Sequence, residues 1–545
     1  MIRTQMNRRT MIGLMAGSLP AALGITGCGG GSSHSGSGSS TASGSNTGAG
    51  TTTAAAVRPK YHLTPSSGWI NDPVRPMWIN GAWSLWVLWN GDYPKGSGTA
   101  WRLYTSPDLV NWTDQGVAMQ KNTTPYGDCW GGCCVVDTNN TAGYGAGSLI
   151  ALVTMACTNL GGQGTVLWYS IDNGASFQFG EPVQSNPQAY NKAISDPVFR
   201  DPNVWWYEEG GYWVMNLAEI GKISMYKSTD LKNWSYLSAM VRVDLGTMEC
   251  PRMLKMNVWQ NGNVIGQKYL LICGGNAYGA GGTTGTFYWT GKFDGTFFTP
   301  DQWAYQYADS GPDFYAATMF TPSENSAPVD ECYAIAWNNN WDYAADIPTS
   351  GYWGQLSVVR NWRLEADSQG AVTLSDAPLT AEQTVFSSPV TGPSQTISDG
   401  TPYHWPTWSG SYAFQINFTL SPGSAGWPSL VALCVRMDTP YYTEIGFHPA
   451  TSNVYLNRAM SGLSPVNDGI WNNLYNATCD FSGPLNVSVL VDAGSVEVFV
   501  NGVSTGSATL ALSGLITAPA NAVGLSLVAI SGSATISNMT ITNAS

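Results

Sequence analysis

The chain has 545 residues, which is long enough for several domains, and it carries a formal net charge of −13. A chain this acidic has no electrostatic means of holding a phosphate backbone, so nucleic acid is excluded as a partner. Only 11% of the residues are charged, whereas Gly (62), Trp (24) and Tyr (26) are abundant, a mixture typical of short strands joined by tight turns. The four histidines are too few and too scattered for a histidine-built metal centre, and we predict neither a metal nor a cofactor.

Residues 1–27 are predicted to be an export leader. Arg8 and Arg9 precede an apolar stretch that is too short to remain as a membrane-spanning helix. This arginine pair resembles a twin-arginine export signal, and the small residues before Cys28 resemble a bacterial lipoprotein cleavage box. Cys28 would then carry a lipid anchor that holds the exported protein at a membrane, in the periplasm or at the cell surface. An ordinary secretory leader is the alternative, and it predicts a secreted protein.

Residues 28–57 are almost entirely Gly, Ser, Thr and Ala. Such a composition buries too little apolar surface to fold, so we predict a flexible tether. The folded part of the chain is therefore expected to begin at residue 58.

Nine cysteines follow Cys28, so at least one of them is unpaired. Cys129, Cys133 and Cys134 lie close together in sequence but lack the second cysteine pair or the nearby histidine that a zinc site needs. Buried free thiols, or one bridge within this group, are the two interpretations.

A short strand–turn–aromatic pattern recurs in the first half of the chain. It occurs as YTSPDLVNW (104–112), YSIDNGASF (169–177) and YKSTDLKNW (226–234). The spacing indicates a repeating unit of about 60 residues, somewhat longer than a usual four-stranded propeller blade. Five such units fit into residues 58–364, so we predict an all-β fold with a five-bladed β-propeller there.

Residues 365–401 are rich in Ser, Pro, Thr and Gly and are predicted to be a connector. Beyond it, runs such as YAFQINFTL (412–420) and SVEVFV (495–500) alternate between apolar and polar residues, and the second run ends at Asn501–Gly502. Such alternation with a hairpin turn is typical of an antiparallel sandwich. The prediction is therefore a C-terminal β-sandwich over residues 402–545.

A propeller binds ligands at the mouth of its central channel, where the strands of all blades converge. A catalytic set should therefore consist of acids from several blades. Three motifs fit: GWINDPVRP (68–76) with Asp72, FRDPN (199–203) with Asp201, and MECPR (248–252) with Glu249. The following proline biases each aspartate toward an extended backbone, and Arg200 and Arg252 could orient neighbouring carboxylates.

The order and separation of these three motifs resemble glycoside hydrolase family 32, the invertase, inulinase and levanase family. Further segments have counterparts in that family: WGGCCVVD (130–137), DSGPDFYA (309–316), AWNNNW (336–341) and SVEVFVN (495–501). The resemblance covers nearly the whole chain after the tether.

The resemblance implies a retaining hydrolase of β-fructosidic bonds. Asp72 would be the nucleophile that forms a covalent fructosyl-enzyme, Glu249 the general acid and then base, and Asp201 a stabiliser of the transition state. The residues implied to bind the sugar are Trp69, Asn71, Arg75, Trp130, Arg200, Asp313 and Trp337, with Trp341 beside them. Asp313 could instead be a turn residue.

Two departures from the family pattern bear on the substrate. The usual Asn-Asp-Pro-Asn-Gly is replaced by a sequence containing Arg75 and Pro76, which resembles the levan-processing branch and favours β-2,6-linked fructan. Cys133 replaces a serine, which removes a hydroxyl that could hold a sugar.

The same sequence features allow alternative functions. A levan fructotransferase would use the same acids and form difructose anhydride by intramolecular transfer. A noncatalytic, glycan-binding surface lipoprotein would use the sandwich as a lectin-like module, although the presence of Asp72 and Glu249 argues against it. Related propellers that cleave arabinosyl or xylosyl bonds are less favoured, because the segments around Trp130 and Asp313 resemble those of fructose-specific enzymes.

Overall fold

The computed structural model describes residues 57–187, 198–277, 282–322, 328–379, 384–405, 407–462, 464–465, 469–502 and 509–545. Regular structure in these ranges is almost entirely β, with short 3-10 turns such as Thr158–Leu160, Val243–Leu245 and Pro449–Thr451. The predicted leader, Cys28 and all but the last residue of the predicted tether lie outside the described ranges. No helix in the described ranges has the length and apolar character needed to span a bilayer.

The first part of the fold is a ring of five antiparallel blades, as predicted, and each blade has four main strands. Blade 1 contains β1 (Gly68–Ile79), β2 (Ala82–Asn90), β3 (Ala100–Ser106) and β4 (Thr113–Met119). Blade 2 contains β5 (Cys129–Asp137), β6 (Ser148–Met155), β7 (Gly164–Ser170) and β8 (Gln178–Ser185). Blade 3 contains β9 (Phe199–Tyr207), β10 (Tyr212–Glu219), β11 (Lys222–Ser228) and β12 (Ser235–Val241).

Blade 4 contains β13 (Met248–Gln260), β14 (Asn263–Gly275), β15 (Gly285–Phe293) and β16 (Phe298–Pro300), and the short β17 (Gln306–Tyr307) also pairs with β15. Blade 5 contains β18 (Tyr315–Phe320), β19 (Cys332–Trp337), β21 (Arg360–Ala366) and β22 (Val372–Pro378). The ring closes where β20 (Tyr352–Trp353) pairs in parallel with β1. The innermost strands β1, β5, β9, β13 and β18 contact one another in that order around the central channel.

The repeat seen in the sequence corresponds to the end of the third strand of blades 1, 2 and 3. In each case the last serine of that strand donates a hydrogen bond to an aspartate two residues later. The three pairs are Ser106–Asp108 (3.0 Å), Ser170–Asp172 (2.6 Å) and Ser228–Asp230 (2.9 Å). The aspartate in turn accepts backbone N–H groups of the turn, so the repeated motif is a side-chain-stabilised turn.

Large aromatic residues fill the space between the blades. Trp86 and Trp101 are fully buried between blades 1 and 2, and Trp289 is fully buried in the core shared by blades 3 and 4. The high tryptophan content is therefore mainly explained by packing, because adjacent twisted blades need bulky side chains to fill the gap between them.

Two antiparallel sheets form the C-terminal sandwich. One sheet has the order β23 (Phe386–Gly392), β34 (Ala534–Ala544), β25 (Phe414–Pro422), β30 (Leu485–Val491), β31 (Ser495–Gly502) and β32 (Leu510–Leu515), with β24 (Gln395–Ile397) also paired to β34. The other has the order β29 (Tyr475–Thr478), β28 (Asn453–Asn457), β27 (Tyr441–His448), β26 (Leu430–Asp438) and β33 (Gly524–Ile530). Alternate residues such as Val496 and Val498 point into the shared core, as the sequence alternation indicates.

The predicted connector at 365–401 is wrong. The stretch contains the end of β21, all of β22 in blade 5, and β23 and β24 of the sandwich. Its Ser, Pro, Thr and Gly content is that of edge strands with exposed side chains. Pro389, for example, lies at a register shift in β23, where its missing N–H removes no hydrogen bond between strands. The boundary between the domains lies between Pro378 and Phe386.

A buried ion cluster joins the propeller to the sandwich, and both domains belong to one compact unit. Arg360 of blade 5 is fully buried and lies 2.8 Å from Asp309, 2.7 Å from Asp376 and 2.6 Å from Glu497 of the sandwich. Because a buried guanidinium needs several acceptors, this arrangement is satisfied only when the two domains are docked.

His62 extends the cluster from the segment that precedes blade 1. Its Nδ1 lies 2.9 Å from Asp492, and its Nε2 lies 2.9 Å from Glu497. Burial alone would lower the pKa of His62, but hydrogen bonds and charge from these two carboxylates outweigh it and raise the pKa to about 9. The imidazolium therefore links the start of the fold to the sandwich at neutral pH.

Replacing Arg360 by Met should lower the free energy of unfolding by about 3–5 kcal/mol, because it leaves buried carboxylates without their cation. The midpoint of urea unfolding measures this change. Lys268→Met is the control, since its partner Asp301 is only half-buried, and it should cost at most about 1 kcal/mol. Equal effects of the two substitutions would contradict a special role for the cluster.

The free energy of unfolding should also depend on the charge of His62. Since its pKa is raised from 6.5 to about 9, the stabilisation is complete below pH 6.5 and is lost as the pH rises toward 9. Unfolding curves at a series of pH values should show this decline, and it should be smaller in His62→Gln. A His62→Gln protein with the same decline would show that other groups cause it.

Candidate active site

Every innermost strand of the propeller has a β-bulge close to its first residue. The register shifts fall at Ile70/Pro73 in β1, Cys129/Gly132 in β5, Arg200/Asn203 in β9, Glu249/Arg252 in β13 and Tyr315/Thr318 in β18. A bulge bends its strand and redirects one side chain. Since the five strands surround one channel, the bulges bring side chains from all blades to the same mouth.

Asp72 lies in the bulge of β1 and is partly exposed. The amide of Asn71 donates to Asp72 Oδ1 at 3.0 Å, and the indole of Trp69 donates to Asn71 Oδ1 at 3.2 Å. The indole therefore fixes which end of the amide faces the carboxylate. These two hydrogen bonds hold the Asp72 carboxylate in one orientation.

Asp201 lies in the bulge of β9 and is buried. Its backbone N–H donates to Thr154 Oγ1 at 2.7 Å, and its Oδ2 accepts the backbone N–H of Cys250 at 3.0 Å. The expectation of an extended backbone is wrong for this residue, because its φ is 59°. The left-handed conformation is unfavourable for aspartate, and contacts with both neighbouring blades hold it there.

Glu249, at the start of β13, is held on both carboxylate oxygens. Arg200 donates to Oε1 at 2.8 Å, and the hydroxyl of Tyr315 donates to Oε2 at 2.5 Å. The Glu249 side chain remains 17% exposed, so it is open to a ligand in the mouth. Tyr315 is buried in blade 5, and thus blades 3, 4 and 5 together define the position of this acid.

The thiol of Cys250 lies between the two aspartates, 3.7 Å from Asp72 Oδ2 and 3.6 Å from Asp201 Oδ2. Burial and the adjacent carboxylates raise the pKa of this thiol well above its usual value, so it stays protonated. A neutral thiol separates the two carboxylates without adding a third negative charge between them.

The carboxyl groups raise one another's pKa values. Burial, reinforced by the charges of Asp201 and Glu249, raises the pKa of Asp72 to about 8. Burial and the charge of Glu249 raise the pKa of Asp201 to about 6, although Arg200 opposes the shift. The cluster therefore holds at least one proton at neutral pH, and this proton belongs to the coupled carboxyl groups together.

Arg200 and Trp130 lie together at the mouth. The guanidinium of Arg200 is 5.3 Å from the centre of the Trp130 ring, and its Nε donates to Gln163 Oε1 at 3.0 Å. Both Arg200 and Trp130 are partly exposed. These contacts fix a cation and an aromatic face beside Glu249, as a sugar site requires.

The predicted contact of Trp337 with sugar is wrong, because its side chain is fully buried. Its ring centre lies 5.9 Å from that of Trp69 and 4.6 Å from that of Trp341. Trp341 is 46% exposed and stacks on Trp69. Trp337 therefore packs behind Trp69 and Trp341 as a buried support, and Trp341 provides the accessible face of this aromatic group.

Asp313 is also not available to a sugar. It is completely buried, and its carboxylate lies 2.6 Å from Arg458 of the sandwich and 2.5 Å from the hydroxyl of Tyr343. The backbone N–H of Leu515 donates to the same carboxylate. Asp313 thus belongs to a second buried ion pair between the domains rather than to the predicted sugar-binding set.

The replacement of a serine by Cys133 does not alter the mouth. Cys133 is buried, and its sulfur accepts the backbone N–H of Val204 at 3.1 Å, which joins blades 2 and 3. Arg75, by contrast, remains a partly exposed residue at the second register shift of β1, and its contact with substrate stays a prediction. All nine cysteines in the described part are free thiols, in agreement with the first of the two interpretations.

Several residues of the site were not predicted from the sequence: Tyr315, Cys250, Thr154, Gln163 and Gly131. Tyr315 stands in a segment with a family counterpart, but nothing in the segment indicates that its hydroxyl reaches Glu249. Gly131 is explained by space, because a Cβ at that position would lie 2.3 Å from Asp201 Oδ1.

The fold and the site together define a class. Carboxyl groups from three blades meet beside aromatic side chains, and two of them, Asp72 and Glu249, remain partly exposed, as in a glycosidase that uses two carboxyl groups.

Comparison with known proteins identifies the family. Residues 62–375 match the Glycosyl hydrolases family 32 N-terminal domain, and residues 379–543 match the Glycosyl hydrolases family 32 C terminal domain. The chain belongs to glycoside hydrolase family 32 and is a glycoside hydrolase.

Individual relatives are similar over most of their length. The chain is 35% identical to a levanbiose-producing levanase of Bacillus subtilis (strain 168), over 89% of this chain and 90% of that protein. It is 42% identical to a levanbiose-producing levanase of Geobacillus stearothermophilus, over 57% of this chain and 76% of that protein. The crystal structure of exo-inulinase from Aspergillus awamori superposes with a TM-score of 0.77 at 26% identity, covering 90% of this chain and 98% of that one.

Replacing Gly131 by Ala should displace the Asp201 carboxylate and lower kcat/KM by about 10²-fold, because small misplacements in a catalytic cluster have effects of this size. The matched control is Gly266→Ala in β14, where a Cβ meets nothing within 4 Å. Steady-state kinetics would check both variants. Normal activity in Gly131→Ala would contradict the requirement for close approach.

Proposed function

We propose that the protein is an exported hydrolase of β-fructosidic bonds in fructans, with β-2,6-linked levan as its preferred substrate. The observation that carries the proposal is the close approach of Asp72, Asp201 and Glu249, of which Asp72 and Glu249 are partly exposed. The names of the relatives support the substrate class, because two of them are levanbiose-producing levanases.

The proposed reaction proceeds in two steps with retention of configuration. With the proton of the cluster on Glu249 and Asp72 ionised, Asp72 attacks the anomeric carbon of the fructosyl unit in the mouth while Glu249 gives that proton to the leaving oxygen. This step forms a fructosyl ester on Asp72 and frees the rest of the chain. Glu249 then removes a proton from water, the water oxygen attacks the same carbon, and Asp72 leaves as a carboxylate.

The contacts around each acid suit these roles. Asn71 donates to Asp72 and so prevents the nucleophile from turning away from the sugar. Arg200 and Tyr315 hold the Glu249 side chain in place while its proton is transferred twice. The Oδ2 atom of Asp201 is held by the backbone N–H of Cys250. The carboxylate of Asp201 would accept hydrogen bonds from hydroxyl groups of the fructose ring.

Export and anchoring are part of the proposal. Arg8, Arg9 and the small residues before Cys28 support export and lipid attachment, and three relatives from Aspergillus niger and Aspergillus ficuum are named extracellular exo-inulinases. The substrate polymer is too large to enter a cell, which is consistent with an enzyme that works outside the cytoplasm.

Incubation of the purified protein with levan, inulin and sucrose, followed by identification of the products, tests the proposal. We expect fructose or short β-2,6-linked oligosaccharides, formed faster from levan than from the other two. Asp72→Asn and Glu249→Gln should each lower kcat by about 10²–10⁴-fold. The control Asp114→Asn, an exposed partner of Arg102, should be fully active.

Two results would contradict the proposal. Turnover of no fructan would refute the substrate class. Formation of cyclic difructose in place of reducing sugar would show that a hydroxyl group of the substrate, rather than water, attacks the intermediate, and that the protein is a fructotransferase.

A further inference from the structure

A groove crosses the outer face of the sandwich beside the end of blade 5. It lies over the strands β25, β30 and β31, and Ala377 and Pro378 at the end of β22 form one wall. Its volume is about 380 Å³, within the range of small-ligand sites. None of the active-site residues described above lines it, so it is a separate site.

The groove contains no charged side chain, although the chain as a whole has a net charge of −13. Its lining combines the apolar residues Phe418, Val487 and Phe499 with amide and hydroxyl residues from adjacent strands: Asn417, Thr419, Asn486, Ser488, Asn501 and Asn538. Side chains of this kind pair with the hydroxyl groups of neutral sugars, since an amide offers both donors and an acceptor. An ionic ligand would find no countercharge here.

Neighbouring side chains hold part of this lining in a fixed arrangement. Thr419 donates to Asn486 Oδ1 at 3.0 Å, and Asn538 donates to Thr419 Oγ1 at 3.3 Å. The acceptor of Asn486 is thus occupied, which leaves its N–H donors for a ligand. Ordered donors reduce the entropic cost of binding.

Asn417 and Asn501 stand on either side of β30 within the same face. Neither side chain has a hydrogen-bond partner in the part of the chain that the structure describes, and both are partly exposed. Their full hydrogen-bonding capacity is therefore available at the groove.

From this chemistry we propose that the groove is an accessory binding site for a neutral polysaccharide, namely a segment of the fructan chain. The proposal rests on the proposed function for the identity of the sugar. Binding of a polymer at the sandwich would raise the local concentration of chain ends at the propeller, as in any bivalent interaction. The groove would then affect turnover of the polymer and leave turnover of short substrates unchanged.

Native gel electrophoresis in the presence of levan tests this inference, with Asp72→Asn as the parent so that the polymer is not consumed. The parent should be retarded by levan, and Asn417→Ala/Asn501→Ala in the same background should have an apparent dissociation constant about tenfold higher, as expected for two lost hydrogen bonds. The matched control is Asn453→Ala/Asn476→Ala on the opposite sheet, which should be retarded like the parent. Gels containing dextran report binding that is not specific for fructan.

Kinetics in the wild-type background provide the second measurement. Asn417→Ala/Asn501→Ala should raise KM for levan several-fold and retain kcat/KM for a short fructose oligosaccharide, which also shows that the variant is folded. Retardation equal to that of the control pair, or no retardation of any variant by levan, would overturn the proposal. The gel assay measures binding and does not depend on turnover. It therefore tests the groove even when the protein hydrolyses no fructan and the proposed function has failed.

Discussion

The structure depends on bringing three carboxyl groups to one mouth, where burial and like charge make their ionised forms unfavourable. The protein meets this constraint with several donors. Asn71, Arg200 and Tyr315 each donate to an acid, and the backbone N–H of Cys250 donates to Asp201. The remaining charge is reduced because burial and like charge raise the pKa values of Asp72 and Asp201, so that the cluster retains a proton at neutral pH.

The same constraint explains the repeated bulge. A regular strand would direct alternate side chains into the spaces between blades, where apolar packing is required. In β1 and β9 a bulge close to the first residue carries Asp72 and Asp201 and turns each carboxyl group toward the channel instead. Five equivalent bulges allow one fold to gather residues that are far apart in the sequence.

The sandwich is joined to the propeller by buried ionic contacts as well as by apolar packing. Arg360 and Arg458 are both fully buried and contact carboxylates across or beside the domain boundary. Such contacts define orientation more than they add stability, because desolvation offsets much of their attraction. With that part of the sheet covered by the propeller, the remaining outer face is left to form the polar groove.

The fold could be predicted from the sequence because repeats and alternation are local patterns, and the three acids because the order and separation of their motifs resemble family 32. Errors arose where a local pattern has two physical origins. The composition of 365–401 is that of a linker and also that of edge strands, and Trp337 and Asp313 have the residue types of a sugar site and also of a buried support. Tyr315 and Gly131 were missed because their roles depend on contacts between blades.

Trapping of the covalent intermediate tests the central claim most directly. A Glu249→Ala protein treated with fructosyl fluoride, whose leaving group needs no protonation, should accumulate a fructosyl ester that peptide mass analysis locates on Asp72. The adduct should be absent when Asp72 is also replaced by Asn. An adduct on another residue, or turnover with no dependence on Asp72, would contradict the account.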